Sequence, residues 1–112
     1  MALSHANSGE PVNLRPLGSS LPEARTRALV KTDSFEAIRL IVPAGGSLPP
    51  HKVSGKFTLH CLEGRVRLGL SQETLDLSAD EWVYFDGGVM HSVEGIENSS
   101  LLLTIMLPES RP

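Results

Sequence analysis

The chain has 112 residues, of which 40% are hydrophobic and 21% charged, and a formal net charge of −3. That length supports one core without disulfide staples, and the composition excludes a wholly disordered protein. A slightly acidic balance of scattered charges offers no footprint for nucleic acid or an anionic membrane.

Met1 to Pro11 is polar and small, with His5, Asn7, Ser8 and Gly9 in it. Residues 1–11 are expected to be a mobile arm with a solvated His5 and no apolar signal stretch. Residues 12–112 are expected to form a single domain, with its core over about residues 25–107. Val12 to Pro22 mixes Leu14 and Leu17 with prolines and a serine pair, which predicts extended or turn-rich chain. Pro22-Glu23-Ala24-Arg25 suits a single helical turn opened by proline.

From Arg25 onward the apolar residues recur with period two. Strands are predicted at Arg27–Thr32, Phe35–Val42, Phe57–Leu62, Arg65–Leu70, Thr74–Ser78, Glu81–Phe85, His91–Val93 and Leu101–Leu107. Turn clusters separate them, among them Ala44-Gly45-Gly46, Glu63-Gly64 and Gly87-Gly88. Many short strands without a convincing helix predict an all-β antiparallel sandwich or barrel. Leu101 to Leu107 does not alternate, so its outer side must also be covered, by the N-terminal segment or a second subunit. No apolar run approaches the roughly 18 residues of a membrane-spanning helix.

Two histidines are expected to open strands after tight turns: His51 behind Pro49-Pro50, and His91 behind Gly87-Gly88-Val89-Met90. Imidazoles so placed can meet at a barrel mouth and hold a divalent metal, or can simply bond to backbone. His60 shares a strand face with Thr58 and Leu62, opposite Phe57, Leu59 and Cys61, and is expected to point outward. Cys61 reads as a small buried hydrophobe and, being single, cannot close an internal disulfide, which fits a reducing cytoplasm. Trp82 and Tyr84 share one face, and Val83 and Phe85 share the other.

The interval from Gly45 through His51, Val53 and Phe57 to Gly64 follows the spacing Gly-x5-His-x-His-x3–4-Glu-x6-Gly of the first cupin motif. Asp80 to Gly95 echoes the second, Gly-x5-Pro-x-Gly-x2-His-x3-Asn, with Gly88 and His91 in place. The chain resembles the small single-domain bacterial cupins over about residues 25–107. The resemblance implies a double-stranded β-helix, or jelly-roll barrel, of the RmlC-like kind, and a two-fold dimer. Its usual three-histidine, one-glutamate metal site carries over only at His51 and His91, because Val53 and Phe57 stand at the other ligand positions. In the second motif Asp80, Asp86 and Gly95 replace Gly, Pro and Asn.

Three functions stay open on this reading. One is a small-molecule binder whose cavity is lined by Val53, Phe57, Leu59, Cys61, Val83 and Phe85, with His51 and His91 at its mouth. Another is a metal-dependent enzyme of dioxygenase, isomerase or decarboxylase type, using His51, His91 and a third ligand such as His60. The third is a structural or regulatory homodimer without ligand. Any zinc, nickel, iron or manganese is expected to bind weakly, since no carboxylate offsets its charge.

Overall fold

The computed structural model describes residues 5–107, with the His51 side chain excepted. The first four residues of the expected arm, and the tail from Pro108, lie outside the described residues. Nine strands and one short 3-10 helix make up the regular structure among the described residues. They are β1 (Arg27–Lys31), β2 (Phe35–Val42), β3 (Ser47–His51), β4 (Phe57–Glu63), β5 (Arg65–Gly69), β6 (Thr74–Ser78), β7 (Trp82–Phe85), β8 (His91–Gly95) and β9 (Ser99–Met106). A five-stranded sheet of order β1-β2-β9-β4-β7 faces a four-stranded sheet of order β3-β8-β5-β6. Every pairing is antiparallel. This is the all-β antiparallel architecture expected from the alternation, in the double-stranded β-helix form that the cupin resemblance implies.

The strand pattern also sets what fills the space between the sheets. Ile38, Leu40 and Val42 of β2, Phe57, Leu59 and Cys61 of β4, and Leu101, Leu103 and Ile105 of β9 pack inward from the larger sheet. Val66, Leu68, Leu75, Leu77 and Val93 meet them from the smaller one. Phe57, Cys61, Val66, Leu68 and Leu101 are wholly buried. Asp76 of β6 clamps β5 from outside, accepting from Arg65 Nη2 at 2.6 Å and Arg67 Nε at 2.9 Å. The hydrogen bonds from Arg67 and Arg65 hold its carboxyl down at about 2. The stability from this contact is therefore fully present above the ordinary carboxylate range and is lost as pH falls from there through about 2.

Three details differ from the sequence expectations. Ser47–His51 is a strand that the double proline concealed, so His51 closes β3 and does not open a strand. β3 lies at a sheet edge, where prolines need not donate to a ladder. The helical turn runs over Gly18–Glu23, a few residues before the expected Pro22-to-Arg25 turn, with Leu21 buried beneath it.

Motif positions prove to be backbone requirements. Gly45, Gly64 and Gly88 all have positive φ, at 79°, 86° and 82°. Asp80, standing where the second motif has glycine, keeps that conformation at φ 74°. Aspartate tolerates the left-handed region better than most residues. No helix among the described residues is long and apolar enough to cross a membrane.

Candidate functional site

His91 is delivered to the barrel mouth by the turn that precedes β8. Gly88 supplies the positive φ, and its N–H donates to the Val53 carbonyl at 2.8 Å, tying this turn to the loop before β4. His91 is only 4% exposed. Its Nδ1 lies 3.1 Å from the Val89 carbonyl oxygen. A carbonyl only accepts, so Nδ1 carries a proton. The imidazole also packs on Phe57, with ring centroids 4.4 Å apart, and Phe57 packs in turn on Phe85 at 5.2 Å.

Beside His91 is a cavity of about 220 Å³ between the two sheets. Leu40, Leu59 and Leu103 line it from the larger sheet, and Leu48, Pro49 and Val93 from the smaller. Among the described residues His91 is the one ionisable side chain in its wall. The β3–β8 register sets His51 directly opposite His91.

Of the expected cavity residues, Leu59 borders this space. Phe57 and Cys61 are wholly buried in the core, and Val83 and Phe85 are packed against that core from β7. Val53 sits in the loop after β3, also packed against the core. Leu40, Leu48, Pro49, Val93 and Leu103 were not singled out in the sequence. Alternation shows which residues face inward, but not which inward residues leave space between them.

His60 stands on the outer face of β4, opposite Trp82 on β7 and Leu102 on β9. The structure therefore does not bring it together with His91. Among the described residues no group of three or more His, Cys, Asp or Glu is placed to hold a metal ion. The three-histidine, one-glutamate set does not fit this chain: the glutamate position holds a buried phenylalanine and Val53 has no donor atom.

Cys61 lies inside the core with Sγ 3.4 Å from the Glu63 carbonyl and 3.6 Å from that of Gly64. Burial pushes its thiol up to about 11. A thiol both protonated and inaccessible is inert. Ellman's reagent should leave the native protein unlabelled at neutral pH and label one thiol per chain in denaturant. Rapid labelling of the folded chain would show that the barrel opens around β4.

The paired sheets and the glycine-framed turns give the chain the architecture of a double-stranded β-helix. No family profile and no curated protein matches the sequence. Among solved structures, a conserved protein of unknown function from Streptococcus pyogenes is 18% identical, with a TM-score of 0.76. The match covers 98% of this chain and 100% of that one. A cupin superfamily protein from Desulfitobacterium hafniense is 19% identical at a TM-score of 0.76, covering 96% of this chain and 100% of its own. An RmlC-like cupin with a double-stranded β-helix fold, from Methanocaldococcus jannaschii, is 20% identical at 0.68, over 73% of this chain and 78% of that one. The chain thus has the fold of a small RmlC-like cupin.

Proposed function

We propose that the barrel interior binds a small, mainly apolar molecule whose polar group is held beside His91. The observation that carries this is the cavity of about 220 Å³, walled by aliphatic side chains and bordered by one buried histidine. An apolar cavity of about 150 Å³ suffices for benzene, so a hydroxylated single ring suits this volume. His91 supplies the polar point of that wall, and by backbone register position 51 stands opposite it.

Phenol is the probe that tests this reading. It should shift the methyl NMR signals of Leu48, Leu59 and Leu103 in a saturable way, and Leu103→Phe should abolish the effect by filling the space. Saturation without any shift at these three leucines would sink it. The metal-enzyme reading gains nothing from His60, which lies on the far side of the sheet. Purified protein should carry well under one divalent ion per chain, and zinc or nickel added to it should be lost below about pH 6 as the imidazoles protonate. Elemental analysis giving near-stoichiometric metal would favour the enzyme instead.

We also propose a cytoplasmic homodimer. The buried free thiol suits a reducing compartment. Trp82 and Tyr84 are 58% and 54% exposed on the outer face of an edge strand, with Met106 exposed on the same sheet. Aromatic surface of this kind is typical of interface cores. Light scattering should give twice the 12.1 kDa chain mass at tens of micromolar, and the single-chain mass would count against it.

A further inference from the structure

The N-terminal segment crosses the outer face of the larger sheet and is fastened at both ends. At one end the Ala6 N–H donates to the Leu29 carbonyl at 2.8 Å. At the other, Arg39 Nη2 donates to the Arg15 carbonyl at 2.8 Å, and the N–H groups of Leu17 and Gly18 donate to the Glu63 carboxylate at 2.8 and 3.2 Å. Between these fastenings the segment bows outward through a turn, with the Glu10 N–H on the Asn7 carbonyl at 3.0 Å.

Beneath the bow lies a cavity of about 530 Å³. Its floor is Leu29, Phe35, Ala37 and Leu102, and its roof includes Val12 and Leu14. Ala37 and Leu102 alternate with the inward-facing Ile38 and Leu103, so this space is on the other side of the sheet from the barrel cavity. Its volume lies in the range of small-molecule sites, roughly 300–1,000 Å³.

The lining also limits what can enter. Among the described residues Glu10 is the one charged residue in its lining, and no basic side chain is among them. Two of the polar side chains at the rim are engaged in local turns: Glu10 Oε1 accepts from the Asn7 N–H at 2.7 Å, and Thr32 Oγ1 accepts from the N–H groups of Ser34 and Phe35 at 3.1 Å each. Within this lining of described residues an anionic head would meet the Glu10 carboxylate and no counter-charge, His5 and Arg27 lying in the adjoining space. We infer that the space under the strap is a second ligand site, independent of the barrel, for an uncharged apolar molecule such as a fatty alcohol or neutral hydrocarbon.

The test uses the full chain with the neutral fluorescent probe N-phenylnaphthylamine. The probe should bind saturably, dodecanol should displace it, and dodecanoate should do so at least about tenfold less well. Ala37→Phe, which fills the floor, should weaken probe binding by a similar factor, while Leu103→Phe in the barrel should leave it unchanged. Should either variant misfold, the methyl signals of Leu29 and Leu102 in the unaltered chain give the same answer, since they should shift while those of Leu48 and Leu59 stay still. Equal displacement by dodecanoate, or shifts confined to the barrel leucines, would overturn the inference. So would binding that emerges only after removal of residues 1–4, making the chain's own terminus the occupant. Binding that vanishes as the chain self-associates would assign the site to a second copy and overturn it equally.

Discussion

Replacing Phe57 with alanine is expected to cost about 3–5 kcal/mol of folding stability, the range for emptying a buried aromatic site. The ring is wholly buried on β4, opposite Phe85 on one neighbouring strand and Ile105 on the other. Its contacts with Phe85 and His91 join the interior of the larger sheet to the mouth of the barrel. Collapse around the gap is limited, because Phe85 is held by the pairing of β7 to β4 and His91 by that of β8 to β3. The variant should also release His91 from one packed face, so phenol binding in the barrel should weaken with stability. Denaturant unfolding measures the first effect directly. A loss below about 1 kcal/mol would mean that the ring is dispensable to the core and that some other side chain blocks the motif's glutamate position.

Most of the barrel was legible because one buried face per strand imposes period two. Val66, Leu68, Leu75 and Leu77 announce their strands and their inward side together. β3 was illegible for the opposite reason: Pro49 and Pro50 argue against a strand unless it is known to lie at an edge, and edge position is a property of the assembled sheet. The same limit hid the cavity walls. Leu40 and Leu48 come from two consecutive strands, Val93 and Leu103 from two others far along the chain, and the gap among them exists only once those strands are assembled. His91 was legible through its motif, since a glycine-framed turn followed by histidine is a local arrangement. His60 was placed outward by alternation alone, and its pairing with Trp82 and Leu102 follows from the same register. The non-alternating run at Leu101 to Leu107 signalled that a second layer was needed, and the N-terminal segment over Leu102 supplies part of it. What the pattern did not reveal was how that layer is fastened.

That fastening centres on Arg39, only 8% exposed although it lies on the outward side of β2. Its Nε donates to Ser100 Oγ at 2.7 Å, and its Nη2 lies 3.6 Å from Glu63 Oε1 while donating to the Arg15 carbonyl. Glu63→Ala would leave this guanidinium buried without its carboxylate and would free the N–H groups of Leu17 and Gly18. The expected loss is about 3–5 kcal/mol, the range for breaking one side of a buried pair. Replacing both partners, as Arg39→Met with Glu63→Met, should cost less than the two single changes added, with a coupling of roughly 0.5–3 kcal/mol. Strict additivity in the double-mutant cycle would show that the two side chains act separately. Hydrogen exchange supplies the functional half of the prediction. If the segment is held as one strap, Glu63→Ala should speed exchange not only at Leu17 and Gly18 but also at the Ala6 amide, at the far end of the bow. Acceleration confined to Leu17 and Gly18 would mean that the two ends are fixed independently. In that case the roof over Leu29 and Leu102 would persist after the buried pair is broken.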